Sequence, residues 1–209
     1  DGKWFMDYRN SDGSVAEMCG NGIRVMAKYL LEKGHQPSGI FPINTRDGMK
    51  YLSVPETGDI TVNMGQIREV FGEISATANG HTWTGYNIDM GNPHAVVFVE
   101  DINEVGDLLT APIVEPADEY PDGVNVEFVE FLPNGELKMR VHERGVGETQ
   151  ACGSGACAAA VAALQQNLVN SPVTVQLTRG TLQIDWKGEG HPLIMTGPAA
   201  TVFHGRVRI

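Results

Sequence analysis

The segment "ACGSGACAAAVAALQQN", residues 151–167, constrains the fold most. Its composition is helical, yet small apolar residues run nearly all the way round the axis. Such a helix has to be enclosed by other structure on most sides. The rest of the chain supplies that structure as short strands divided by turns. Apolar or β-branched runs cover 4–9, 49–54, 60–64, 94–99, 124–131, 137–141, 173–177 and 182–186. Between them lie Asp12-Gly13, Asp47-Gly48, Asp122-Gly123, Asn134-Gly135 and Arg179-Gly180, mostly good turn pairs.

A second helical segment, "MCGNGIRVMAKYLLEKG" at 18–34, carries Ile23, Met26, Ala27 and Leu30 on one face. Both helices start inside a Cys-Gly-X-Gly. The order strands, polar turn, Cys-Gly-X-Gly, helix, strands therefore occurs twice. It predicts an α+β fold of two similar halves, each a strand-rich sheet or barrel wrapped round one main helix, with the active site in the cleft between them. The halves are expected at 1–68 and at 80–198, with a boundary in the Gly- and Thr-rich stretch 65–85. The chain starts at Asp1, just before a strand-like stretch, so an upstream segment is expected.

Composition excludes several roles. The net charge is -11 and the 15 basic residues form no cluster, which argues against nucleic acid or an anionic membrane as partner. No apolar run is long enough to span a bilayer. Three cysteines are too few and too odd for a disulfide scaffold, and no pair has zinc-site spacing, so no metal is expected. A reducing, cytoplasmic setting is the default.

A helix N-terminus offers unpaired backbone N–H groups and a partial positive charge. A thiol placed there ionises more readily, and a carboxylate can sit on the same N–H groups. One such site suggests a nucleophile or a base. Two, at Cys19 and Cys152, suggest a carboxylate held between helix ends with a sulfur on either side, suited to taking a proton from one face of a carbon and returning it to the other. Cys157 lies about 140° further round its helix and reads as core.

Further candidates come from "VNVEFVEFLPNGELKMRVHER". A two-residue turn at Asn134-Gly135 sets Asn125 opposite Arg144 and Glu127 opposite His142. Alternation then puts Glu127, Val129, Arg140 and His142 on one face, and Val126, Phe128, Met139, Val141 and Glu143 on the other. An acid on that apolar face is costly unless paired, so Glu143 is a site candidate. The alternative is a bulge near "ERGVGE" that turns it to water. Glu127 with His142 reads as a solvated surface pair. In "MGNPHAVVFV", Gly91, Asn92 and Pro93 deliver His94 into an apolar strand. His94 gains weight as a site residue only in company with the two thiols and Glu143.

Four motifs resemble the diaminopimelate epimerase family: "RNSDGSVAEMCGNGIR" (9–24), "MGNPH" (90–94), "GVNVEF" (123–128) and "ERGVGETQACGSGACA" (143–158). They stand in the family's order and span essentially the whole chain. The resemblance implies a cofactor-independent isomerase, with no pyridoxal phosphate, that interconverts LL- and meso-diaminopimelate in bacterial lysine and peptidoglycan precursor synthesis. It implies that Cys19 and Cys152 are the acid–base pair. Backbone N–H groups at Gly20, Asn21, Gly153 and Ser154 would hold the reacting carboxylate. Glu143 would take the reacting ammonium, with His94 close by. Asn10, Asn92, Asn125 and Arg144 would bind the distal centre. A homodimer is implied, as are a closing strand at 199–209 that returns to join the first half and a strand-rich leading segment that this chain does not carry. Proline racemases and hydroxyproline epimerases share the fold and the paired thiols but lack the "ERGxGET" run.

Three other readings stay open on the residues alone. One is an epimerase of another amino acid, although Asn10, Asn125 and Arg144 favour a substrate with a second charged end. Another is a hydrolase or acyltransferase using Cys152 with His94. The third is a redox protein with a Cys19–Cys152 disulfide.

Overall fold

The computed structural model describes residues 4–9, 13 and 15–206. The chain divides into two compact units, Asp1–Val62 with Gly197–Ile209, and Asn63–Thr196. Both carry sheet against a single α-helix, an α+β fold.

In the first unit, helix α1 (Gly20–Glu32) precedes strands β1 (Gly39–Thr45), β2 (Gly48–Val54) and β3 (Ile60–Gly65). Gly20, Ile23, Arg24, Ala27 and Leu30 recur at helical spacing and form its buried face. The helix packs against β2. It ends where Gly34, at φ 69°, turns the chain into the left-handed region. There His35 N–H donates to Leu30 O and Gly34 N–H to Leu31 O, which closes the last turn. β1 and β2 form an antiparallel hairpin from Gly39 opposite Val54 to Thr45 opposite Gly48. The strand expected at 4–9 reduces to two isolated bridges, Phe5 with Asn44 and Arg9 with Val15. The closing strand expected at 199–209 does not form over 199–206, where the backbone is irregular; 207–209 lie outside the described residues.

The second unit contains β4 (Glu69–Ala78), β5 (His81–Asp89), β6 (Pro93–Val99), β7 (Ile113–Glu115), β8 (Asn125–Phe131), β9 (Leu137–Glu143), β10 (Gly147–Thr149), helix α2 (Gly153–Gln165), β11 (Val173–Leu177), β12 (Gly180–Asp185) and β13 (Leu193–Gly197). The stretch 65–85 is thus mostly a hairpin of β4 and β5. Strand order is β13-β12-β11-β9-β8-β6-β5-β4-β7, with β10 added to β9. Pairing is antiparallel except at β6/β8 and β9/β11.

The sheet wraps α2, which touches β5, β6, β8, β9, β11 and β12. Every residue from 156 to 163 is at most 2% exposed, so the helix is enclosed as its all-round apolar composition requires. The other face of β6 and β8 is buried too, beneath a cluster of Ile74, Val97, Val99, Ile102, Leu108, Val126 and Phe128. Neither face of this hairpin region is a solvated surface.

The register of β8 and β9 differs from the sequence expectation by one residue. Val126 pairs with His142, Glu127 with Val141 and Phe131 with Leu137. The cause is the turn. Leu132 N–H bonds Glu136 O and Gly135 N–H bonds Leu132 O, with Gly135 at φ 83°. Three residues therefore form the loop, not two, and Pro133 belongs to it. A one-residue slip exchanges the neighbours on each face. Glu143 now shares a face with Asn125, Glu127 and Val129, while His142 shares the opposite face with Val126.

The tight enclosure of α2 predicts that Ala159→Leu overpacks the unit. The expected loss is about 1–3 kcal/mol or more, read as a lower urea midpoint at unchanged m-value.

Candidate active site

The two Cys-Gly-X-Gly segments adopt the same local structure. Cys19 caps α1 at φ -137°, ψ 114°, and Cys152 caps α2 at φ -120°, ψ 117°. Gly22 N–H donates to Cys19 Sγ at 3.3 Å, and Gly155 N–H donates to Cys152 Sγ at 3.4 Å. The fourth residue of each motif is the capping donor, where Ser or Asp would ordinarily be the acceptor. Only the second of these glycines is short of room: a Cβ at Gly155 would lie 2.5 Å from Glu127 Oε1, whereas one at Gly22 would meet ordinary contacts from 3.4 Å. The first-turn N–H groups of both helices, at Gly20 and Asn21 and at Gly153 and Ser154, have no acceptor within the helix. They are where an anion would be received.

Around Cys19 the turn is held by a residue that the sequence reading left out. Arg24 is 5% exposed. Its guanidinium bonds Gly20 O at 3.1 Å, Asn21 Oδ1 at 3.0 Å and Pro198 O at 3.4 Å. Asn10 lies outside the described residues.

Around Cys152 the second unit brings several candidates together. Ser154 Oγ is 3.5 Å from Cys152 Sγ. Glu143, at the end of β9, accepts a hydrogen bond from Thr149 Oγ1 on β10. Burial pushes the Cys152 thiol well above its ordinary range, and the charge of Glu143 pushes it further. Hydrogen bonds from Ser154 and from Gly155 N–H oppose this. The balance keeps Cys152 a neutral thiol in the ligand-free chain, against the simple expectation for a cysteine at a helix start.

Glu127 is the largest correction. It is no surface partner of His142: it is fully buried on the face turned to α2. Its Oε1 is 2.7 Å from Nδ1 of His94, also fully buried, on the neighbouring parallel strand. Nε2 of His94 is 3.2 Å from Asn92 Oδ1. Asn125 Nδ2 donates to Pro93 O, and Arg144 N–H donates to Asn125 Oδ1, each at 3.0 Å. Asn125 and Arg144 therefore meet, but through the Arg144 main chain and not as a ladder pair. The Arg144 side chain lines a cavity of about 320 Å³ with Tyr120, Asp122, Gly123 and His142, which none of Cys152, His94, Glu127 and Glu143 lines. Among the described residues, no group of three or more His, Cys, Asp or Glu could hold a metal ion.

The diaminopimelate epimerase family model matches residues 1–70 and 86–202. The chain belongs to the diaminopimelate epimerase family. The diaminopimelate epimerase of Streptomyces coelicolor is 47% identical over 97% of this chain and 72% of its own length. That of Pseudomonas syringae pv. tomato is 42% identical over 98% of this chain and 79% of its own. Solved structures share the fold at lower identity. A hydroxyproline epimerase from Agrobacterium vitis has a TM-score of 0.64 at 17% identity, over 90% of this chain and 65% of that one. A probable proline racemase from Agrobacterium radiobacter K84 has a TM-score of 0.68 at 16% identity, over 96% and 70%. Membership of the diaminopimelate epimerase family makes this chain an epimerase by lineage, with Cys19, Cys152, His94 and Glu143 all inside the matched segments.

If the Glu143 carboxylate helps to keep Cys152 protonated, its removal makes the thiol easier to ionise. In Glu143→Gln the onset of Cys152 alkylation by iodoacetamide, followed by peptide mass spectrometry, is expected to move to lower pH by about one unit.

Proposed function

We propose that the chain interconverts LL- and meso-diaminopimelate by two-base proton transfer between Cys19 and Cys152, without a cofactor. The observation that carries this reading is the matched pair of sulfur-capped helix starts. Each offers a sulfur and the N–H groups of a helix first turn to the same kind of ligand, an α-carboxylate beside an acidic C–H.

In one direction a Cys19 thiolate removes the α-proton and the Cys152 thiol delivers its own proton to the opposite face. The reverse direction exchanges the roles, so atoms and charge balance over a turnover. The carbanion is stabilised by helix N–H groups and buried dipoles aimed at the carboxylate, an electrostatic effect. The environment of Cys152 suits the thiol role. A substrate ammonium arriving at Glu143 cancels the carboxylate charge that helps to hold the thiol protonated, so the ligand itself readies Cys152 for the thiolate role. Asn10, Asn92, Asn125 and Arg144 take the distal centre, and a guanidinium suits its carboxylate. The enzyme works as a cytoplasmic homodimer supplying lysine and peptidoglycan precursors. No described helix is long and apolar enough to cross a membrane.

A hydrolase using Cys152 with His94 is disfavoured by geometry. Both imidazole nitrogens are engaged, with Glu127 and with Asn92, and neither is bonded to Cys152.

The test is loss of the α-proton NMR signal of LL-diaminopimelate in D2O with reductant, together with the appearance of meso product. Exchange is expected in the wild-type chain and is lost in both Cys19→Ala and Cys152→Ala. Retained exchange in either variant would refute the two-thiol scheme. The rate is also expected to be bell-shaped in pH, since one thiol and one thiolate must coexist, with limits that belong to the pair. A flat profile across the thiol range would contradict it.

A further inference from the structure

Glu127 has no role in the scheme above, yet its carboxyl is fully buried. Its Oε1 lies 2.7 Å from His94 Nδ1 with both side chains at 0% exposure. Two lone pairs do not approach so closely in a dry interior, so a proton lies on that line. On the other side of the ring, Nε2 faces Asn92 Oδ1 at 3.2 Å. A carbonyl oxygen only accepts, so Nε2 carries a proton of its own. Two arrangements satisfy both contacts: an imidazolium against a carboxylate, or a neutral imidazole that receives a proton from a carboxylic acid.

The surroundings decide between them. Three elements bring titratable groups to Glu127: His94 on β6, Glu143 on β9, and Cys152 at the start of α2. None but the imidazole can be a cation. Glu127 Oε2 has no hydrogen-bond partner among the described residues. A buried carboxylate oxygen left bare costs far more than the bare carbonyl of an acid. Burial pushes the Glu127 carboxyl up, and the charge of Glu143 adds to this against the pull of His94. The acid form follows.

We propose that Glu127 is a positioning residue for the epimerase reaction: its carboxylic acid donates to His94 Nδ1, which fixes Nε2 as donor to Asn92 Oδ1 and so turns the Asn92 amide NH2 outward to receive a carboxylate. This rests on the diaminopimelate reading for the identity of that carboxylate. The relay runs from the inside of the sheet to the ligand. Among the described residues Asn92 Nδ2 has no partner, so the oriented donor is left for the ligand. A flipped amide would present an oxygen there instead and repel the same ligand.

The test uses the full chain with Glu127→Gln and Glu127→Leu. Gln keeps a neutral donor for Nδ1 and is the conservative rescue; Leu removes it. Infrared difference spectra near neutral pH, wild type minus Glu127→Gln, are expected to show a protonated-carboxyl carbonyl band. Only a carboxylate band in that difference would overturn the proposal. In kinetics, Glu127→Gln is expected to stay within about twofold of wild type in KM. Glu127→Leu is expected to raise KM about tenfold or more with a much smaller change in kcat, the ordinary effect of losing one hydrogen bond to a charged group. An unchanged KM in folded Glu127→Leu, or equal losses in both variants, would also overturn it. If Glu127→Leu does not fold, the infrared arm and Glu127→Gln still decide. If the wild-type chain does not epimerise diaminopimelate, the proposed function fails on its own, while the infrared arm judges the acid form independently.

Discussion

A carboxyl and an imidazole, both cut off from water, can share an interior only with a proton between them. Much of the second unit is arranged round that requirement. β6 and β8 run parallel so that His94 and Glu127 meet across adjacent strands. α2 lies over them and needs a glycine at 155, because any Cβ there would strike the Glu127 carboxyl. The same glycine supplies the N–H that caps Cys152. One residue thus leaves room for the buried acid on one side and caps the sulfur on the other. A change that suited one neighbour alone would disturb both.

The first unit solves the corresponding problem differently. Its sulfur is capped in the same way, but the turn behind it is held by a guanidinium and not by a buried acid. Arg24 gathers Gly20 O, Asn21 Oδ1 and Pro198 O, so the start of α1 is tied to the chain's return segment. The two helix starts are alike in geometry and unlike in electrostatics. One is next to a buried cation; the other is next to the Glu143 carboxylate. For the acid–base pair proposed here, which would hold unequal protonation states at rest, such asymmetry is useful.

Local chemistry made the helix starts readable in the sequence. Cys-Gly-X-Gly needs only its own four residues to form the cap, and the all-round apolar face of α2 could mean only enclosure. The strands at 48–54, 60–65 and 173–185 were legible for the same reason. What the sequence hid depends on partners distant along the chain. Glu127 finds His94 33 residues earlier, through parallel pairing that no local pattern reports. The register of β8 and β9 turned on whether Pro133 belongs to strand or loop. Asn134-Gly135 reads as a two-residue turn, and only the bond from Gly135 N–H to Leu132 O reveals the third residue. β4 and β5, rich in Thr and Gly, were hidden by weak hydrophobic alternation.

That loop has a role out of proportion to its surroundings. Pro133, Asn134 and Gly135 are exposed, and no catalytic candidate touches them. Yet the parity of the loop decides which side of the sheet each residue of β9 occupies, and so whether Glu143 stands on the thiol side or beneath the outer cluster. Its side chains can vary with little consequence, provided the left-handed position at 135 is kept. Its length cannot. Shortening it by one residue would carry the acid to the wrong face without altering a single residue of the site, and a relative with a shorter turn must restore the phase with a bulge elsewhere in β9.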